Sequence, residues 1–417
     1  MSNTTENQTT PMQMIAGLDI GNGYVKGLIS VNGAAPTGVD YLSGVAIQTN
    51  SHDIKTKEEE AGGVIREIFD MMEASFDSSA VENHAVRLFG RRGVSSGKSM
   101  EEFDVSSTIS KASQDLSAIL VLGSLAGKAL QHVYETTGHI PAEVVPVTAR
   151  ISLALPITEY KLYRKMYADK FKSGTHMVSI HNFETPVRIE LTITDVQVVA
   201  EGASAQFAIV AKGPALMDAM LSDLRAHGEA LPGITAQDIL AATNTVGIDI
   251  GEGTVNFPVF QDGRFNPDAS MTFAKGYGTV LEQARERLQE KNMPFNSRKA
   301  LADFLLKKPT ALNQARYAKI AQIVREEIQG FSIEVTQEFR KVISRVGSYT
   351  EVVYVYGGGA SAVKEILYPE LIDVAKNLGG DDVAYPILYL DSRYSRYLNR
   401  EGLYLIAKQV ADASARK

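Results

Sequence analysis

The sequence predicts an α/β protein built from two related domains, and three observations carry that prediction. A glycine hairpin with an acid ahead of its turn occurs twice, as Leu18-Asp19-Ile20-Gly21-Asn22-Gly23-Tyr24-Val25-Lys26 and as Ile248-Asp249-Ile250-Gly251-Glu252-Gly253-Thr254-Val255-Asn256. Late in the chain the apolar run Glu351 to Tyr356 enters Gly357-Gly358-Gly359-Ala360-Ser361 and then a helical pattern. Finally, 417 residues with 44% apolar content exceed what one simple core accommodates. Each hairpin copy reads as strand, tight turn, strand. Asn-Gly and Glu-Gly supply the turn, and glycines lacking Cβ open backbone N–H groups to an anion. Either copy alone would be an ordinary β-hairpin; the duplication points to two related domains closing on one phosphate chain.

Composition narrows the function classes. The net charge of −7, with acids and bases interspersed, offers no broad basic surface for gripping nucleic acid directly. DNA, if involved, would come through a partner. The absence of cysteine excludes disulfides, thiolate metal sites and a thiol nucleophile, and fits a reducing cytosol. Residues 1–12 are polar, lack the basic start and apolar centre of a signal peptide, and read as a disordered tail. No apolar run approaches the roughly 20 residues a membrane span requires, so no membrane partner is expected and the location is read as cytoplasmic.

Taken in order, Met14 to Val31 is strand-like around the first hairpin, and about 32–100 reads as a smaller inserted subdomain. Within it Gly93-Val94-Ser95-Ser96-Gly97-Lys98-Ser99 imitates a P-loop, but three residues separate the glycines where four are needed. Arg91, Arg92 and Lys98 there fit an exposed basic loop or a protein contact. Ser113 to Tyr134 has the strongest helical pattern, apolar with Gly123, Ala126 and Gly127 beside the leucines, and predicts a buried helix. Ala142 to Leu155 reads as a strand ending at Pro156, and Tyr160 to Phe171 as a partly exposed helix. Two strand runs within Met177 to Val199 then deliver Glu201 into a loop. An acid at a core strand end suits a site, with a solvated charge as the simpler alternative. Leu216 to His227 is helical, Phe273 to Thr279 places Gly276 and Gly278 at the start of a helix running to Lys291, and a helix start can receive an anion. Ile320 to Val346 is a strong amphipathic run, and Leu403 to Val410 reads as a final helix.

The order of these features, hairpin, connecting helix, strand-end glutamate, second hairpin and strand with glycine run, resembles the nucleotide site of the actin, sugar kinase and heat-shock-protein ATPase superfamily. Within it the chain is most similar to bacterial plasmid-segregation actins of the ParM (StbA) type. The resemblance rests on the two hairpins, on Phe103-Asp104-Val105 ahead of the buried helix, on Ala154-Leu155-Pro156, and on Glu201. It implies an actin-like ATPase fold with a mixed sheet flanked by helices in each domain and a nucleotide in the cleft between them. The domains would be 13–160, 161–395, and a C-terminal helix in 396–417 returning to the first.

The resemblance also implies roles. ATP or GTP would be hydrolysed with Mg²⁺, coupled to polymerisation of the chain with itself. An adaptor protein of the ParR type would link filaments to plasmid centromere DNA. Asp19 and Asp249 would orient Mg²⁺, mostly through water. Gly21, Asn22, Gly23, Tyr24, Gly251, Gly253, Thr254 and Gly276 would bind the nucleotide, and Lys26 would add positive charge near the phosphates. Glu201 would polarise the attacking water. Gly357, Gly358, Gly359 and Ala360 would line the nucleoside end. Two positions depart from the pattern: Glu252 stands where glycine is frequent and should point away from phosphate, and Asn256 replaces a frequent aspartate. The spacing from Glu201 to Asp249 implies an inserted helix. The competing readings are a small-molecule kinase on the same fold, a chaperone ATPase and a membrane-linked cytoskeletal actin.

Overall fold

The computed structural model describes residues 10–48, 55–103, 109–227, 231, 233–346, 349–379, 385–390 and 392–416. Most of the expected N-terminal tail and Asp104 and Val105 of the motif ahead of the buried helix lie outside these residues. By its internal contacts the chain divides into two units: Met1–Leu155, Glu159–Val199 and Arg400–Lys417 in the first, Pro156–Thr158 and Ala200–Asn399 in the second.

The first unit is organised on a sheet of ten strands: β1 (Met12–Ile20), β2 (Tyr24–Val31), β3 (Thr37–Leu42), β4 (Val45–Gln48), β5 (Glu73–Asp77), β6 (Val86–Phe89), β7 (Met100–Glu101), β8 (Val145–Leu155), β9 (Thr175–Ile180) and β10 (Val187–Ala200). Their order is β3-β2-β1-β8-β10-β9-β5-β6-β4-β7. The sheet is mixed, with β1 antiparallel to β2 and parallel to β8. Two consequences correct the sequence reading. The region 32–100 is an extension of the main sheet, since β9 pairs with β5 and carries β6, β4 and β7 beyond it. And the division expected at 160/161 falls at Val199/Ala200, because β9 and β10 complete this same sheet.

The helix Asp115–Thr137 is buried without interruption from Leu116 to Leu130. A helix buried on every side needs apolar or small residues all round, which its composition supplies. Gly123 and Gly127 lie against the rings of Phe89 and Phe69, where a Cβ would come within 2.8 Å of ring carbons. Contrary to the sequence expectation, this helix is long and apolar enough to cross a membrane by length and composition, but 83% of its apolar window is packed inside the unit. The P-loop imitation lies on a short helix, Gly90–Ser95, and the loop after it. Arg91 pairs at the surface with Glu67 and Asp70, and Arg92 with the buried Glu73.

The second unit holds a smaller mixed sheet: β11 (Thr245–Ile250), β12 (Val255–Phe257), β13 (Val259–Gln261), β14 (Arg264–Phe265), β15 (Met271–Phe273), β16 (Val352–Tyr356) and β17 (Ile387–Tyr389). β11 is antiparallel to β12 and β13 and parallel to β16, which is parallel to β17. The helices Pro214–Ala226, Tyr277–Glu290, Gln314–Val346 and Ala360–Gly379 supply much of the apolar packing. The spacing between Glu201 and Asp249 is filled by the helices Ala203–Ala211, Pro214–Ala226 and Ala236–Ala241.

The duplication read from the sequence extends to the register. Asp19 pairs with Lys26 and Ile20 with Val25 in β1/β2; Asp249 pairs with Asn256 and Ile250 with Val255 in β11/β12. In each unit the acid-bearing strand has a hairpin partner on one side and a parallel strand, β8 or β16, on the other. A parallel neighbour requires a crossover, and the helices Asp115–Thr137 and Gln314–Val346 lie within the respective connections.

Candidate functional site

Both hairpin turns close in the same way. The Gly21 N–H donates to the Tyr24 carbonyl at 3.0 Å, and the Gly251 N–H to the Thr254 carbonyl at 2.9 Å. Their turn carbonyls are tied back into the protein. In the first unit Ser43 donates through Oγ to the Gly21 carbonyl at 2.6 Å and through its N–H to the Gly23 carbonyl at 3.1 Å. In the second, the Tyr277 N–H donates to the Gly251 carbonyl at 3.0 Å and the Gly278 N–H to the Glu252 carbonyl at 2.8 Å. Among the described residues no acceptor takes the N–H groups of Asn22, Gly23, Glu252 or Gly253. A turn with most of its carbonyls occupied and these amides open is electropositive toward an approaching anion.

The same bonds give the start of the helix Tyr277–Glu290, where Gly276 was expected to meet the nucleotide, a contact of its own. The start of the helix Tyr277–Glu290 spends its first amides on the second hairpin, so Gly276 and Gly278 act as its buttress. A Cβ at Gly276 would meet the Glu252 carbonyl oxygen at 2.4 Å. Glu252 leans over that helix start toward Arg298, 3.6 Å away. Its charge is thereby paired with a guanidinium.

Around Asp249 the second unit gathers a polar cluster from segments distant in sequence. Asp249 is 5% exposed and Asn256, across the hairpin, 2%. Glu201, at the end of β10, accepts from Asn256 Nδ2 at 3.3 Å, while Asn256 Oδ1 accepts from Thr272 Oγ1 at 2.7 Å. The same Nδ2 lies 3.5 Å from Thr254 Oγ1. Asp249 Oδ2 accepts from Asn399 Nδ2 at 2.8 Å, and Asn399 Oδ1 accepts from Ser204 Oγ at 3.1 Å. The turn after Glu201 is held open by Gly202, whose φ of 80° disfavours a side chain, and by the Tyr356 hydroxyl donating to the Gly202 carbonyl at 2.7 Å. Burial, reinforced by the Asp249 charge, raises the Tyr356 phenol well above its ordinary value, so it remains a donor.

The glycine run is divided in its duties. Gly357, at φ 105°, lies so close to β11 that a Cβ would meet the Ile250 carbonyl at 2.4 Å and Asp249 Oδ1 at 2.6 Å; Gly359 donates to the same carbonyl and abuts Tyr277. Both are therefore required by packing against the hairpin strand. Gly358 is the exposed one, and Ala360 is buried with its carbonyl taken by the Tyr389 hydroxyl.

In the first unit Asp19 is 9% exposed and shares a register position, hence a sheet face, with Lys26. The structure thus brings Glu201, Asp249, Thr254 and Gly357 together, and separately Asp19, Gly21, Asn22, Gly23, Tyr24 and Lys26. Sequence reasoning missed Asn399, Ser204 and Thr272. A lone Asn, Ser or Thr carries no spacing signal, and Asn399 is 150 residues from the acid it contacts.

Two units, each a mixed sheet in which an acid-bearing hairpin strand lies beside a parallel strand, are the fold of the actin-like proteins. Residues 247–368 match the family model of the C-terminal part of the archaeal actin homologue MreB-like. Among solved structures, the actin-like protein Alp7A is similar at a TM-score of 0.61 and 16% identity, over 98% of this chain and 99% of that one. The psk41 ParM protein in its apo form gives 0.56 and 17%, over 96% and 99%. ParM of Bacillus thuringiensis, solved with ATP, gives 0.57 and 16%, over 96% and 99%. No curated protein matches the sequence.

Proposed function

We propose that this chain is a nucleotide-hydrolysing actin-like protein that assembles with itself into filaments in the cytoplasm and moves plasmid DNA through an adaptor of the ParR type. The observation that carries the nucleotide reading is the pair of hairpin turns with most carbonyls occupied and two open amides each, next to a buried aspartate. In the proposal the amides of Asn22, Gly23, Glu252 and Gly253 donate to phosphate oxygens of ATP or GTP, and Lys26 adds charge beside the first turn. Glu201, held by Asn256, accepts from the attacking water and orients it, which suits the loose transition state of phosphoryl transfer.

The fold implies Mg²⁺ with the nucleotide, and the residues fit it in a restricted sense. Among the described residues no group of three or more acids or histidines could encage a metal. Asp249 is instead a single buried carboxylate with one oxygen pinned by Asn399, the arrangement for orienting a hydrated cation whose other ligands are phosphate and water. Bound there, the cation would neutralise phosphate charge. Asp19 supplies the related carboxylate in the first unit.

Nucleotide with Mg²⁺ should produce pelletable, light-scattering polymer, and binding should saturate at one nucleotide per chain. Glu201→Ala should lower turnover by about a hundredfold or more while leaving nucleotide affinity within about threefold. Unchanged turnover would remove Glu201 from the site. A protein that stays monomeric while transferring phosphate to a metabolite would replace the filament reading with that of a small-molecule kinase.

A further inference from the structure

The helices Arg298–Leu306 and Gln314–Val346 are joined by a tip that is braced from within and bare outside. The Tyr317 hydroxyl donates to the Leu305 carbonyl at 2.9 Å, its ring lies 5.5 Å from that of Phe304, and the Thr310 N–H donates to Asn313 Oδ1 at 2.7 Å. Phe304 and Leu305 pack on the core of the second unit, whereas Leu306 is 84% exposed and Leu312 wholly so. The fold gains nothing from those two side chains. A connection that only had to turn the chain would carry polar residues there, since solvated leucines add no stability and favour association. Lys307, Lys308, Arg316 and Lys319 flank them in sequence, all exposed, and among the described residues none has an acidic partner. From Phe304 to Arg325 the sequence contains no acid.

Four cations around two leucines call for an acidic protein surface. A chain of net charge −7 that gathers these cations at one tip is more acidic elsewhere. Its longest run of acids, Glu58-Glu59-Glu60, lies exposed on a short turn of helix in the first unit. Glu58 meets His139 at 3.2 Å, while Glu59 and Glu60 have no cationic partner among the described residues. Opposite charges on two separate surfaces of one chain are satisfied together when copies associate head to tail, each presenting its tip to the acids of the next.

We infer that the tip around Leu306 and Leu312 is an assembly surface that docks on Glu58–Glu60 of a second copy of this chain. The cations set the register of the contact, and the leucines leave water when it forms. The inference rests on the self-assembly reading above and names the surfaces that meet.

The test measures by pelleting the critical concentration for polymer with ATP and Mg²⁺, for wild type and three double variants: Lys307→Glu with Lys308→Glu, Glu59→Lys with Glu60→Lys, and Leu306→Ser with Leu312→Ser. Every substituted position is exposed, so thermal melting and nucleotide affinity should match wild type. Each double variant should raise the critical concentration about tenfold or more. An equimolar mixture of the two charge-reversed chains should bring it back to within about threefold of wild type, because contacts between unlike chains regain opposite charges. A wild-type critical concentration in the folded variants overturns the inference, and so does a mixture that polymerises no better than its parts. Rescue only when both reversals are made in the same chain also overturns it, since that places the pairing within one chain. Binding of wild type to anionic vesicles that is lost in the leucine variant, with polymer unaffected, overturns it in favour of a lipid surface. All of these outcomes leave the self-assembly reading standing, whereas a wild-type chain that forms no polymer with nucleotide and Mg²⁺ overturns both.

Discussion

An aspartate at position 256 would face the Glu201 carboxylate at the 3.3 Å now spanned by a hydrogen bond, and two carboxylates at that distance cannot both ionise cheaply. The asparagine removes the repulsion and adds a donor, and Thr272 fixes which end of the amide Glu201 meets. In the family resemblance Asn256 is only a departure from a frequent aspartate; in the structure it donates to Glu201, the proposed water-orienting acid. Asn256→Asp should therefore slow nucleotide hydrolysis by about tenfold or more while nucleotide affinity changes little. Single-turnover assays beside equilibrium binding would check this, and wild-type turnover in the aspartate variant would detach Asn256 from Glu201's function. Residue-level identity was legible in the hairpins because turn, acid and glycines are neighbours in sequence. It was not legible in Asn256, whose meaning comes from Glu201 and Thr272.

Between residue and molecule stand the elements, and here Glu351 shows how a strand pair is started. Its carboxylate Oε2 accepts from the Thr243 N–H at 2.8 Å and the Asn244 N–H at 2.7 Å, joining the residue before β16 to those before β11. The backbone donors of Asn244 and Thr243 hold the carboxyl below its ordinary value of 4.5, the Asn244 hydrogen bond first, opposed by partial burial. A depressed acid stabilises the fold above its unfolded pKa and loses that contribution as pH falls through the lower folded value. Glu351→Gln should accordingly lower the melting temperature at pH 7, with the gap to wild type closing below about pH 4.5. Melting curves from pH 7 to 3 decide it; a gap that persists at pH 3 would mean that shape, and not charge, is what Glu351 supplies. The elements themselves were well predicted from local pattern: the strand after Ala142, the buried helix after Ser113 and the amphipathic helix before Val346 all form. Their assignment to units was not, since β9 joins β5 across about a hundred residues, and period-two alternation says nothing about which strand will be the neighbour.

For the whole molecule, one glycine sets the terms on which the chain closes. Gly17, in the middle of β1 and two residues before Asp19, has the backbone of Leu403 and Tyr404 packed against it so closely that a Cβ would fall 2.1 Å from the Tyr404 nitrogen. The segment Arg400–Lys417 thus belongs with the first unit, and β1 is backed by the last helix, Leu398–Ala415. Gly17→Ala should cost about 3 kcal/mol in denaturant unfolding, because the clash is with backbone and no rotamer relieves it. A cost below about 1 kcal/mol would show that the helix can retreat. The stretch from Leu403 was expected as a final helix on its apolar pattern, but that it sits on the strand carrying the first acid could not be read locally.

That contact turns the end of the chain into an early dependency of the first hairpin. During synthesis β1 and β2 emerge hundreds of residues before their backing does, so the strand bearing Asp19 waits with one face uncovered until the final helix is made. A nascent or proteolytically clipped chain lacking residues beyond Asn399 would carry every hairpin residue in its sequence and still present the first turn on an unsupported strand. The order of the strand that carries Asp19 is therefore tied to a segment made about 380 residues after it.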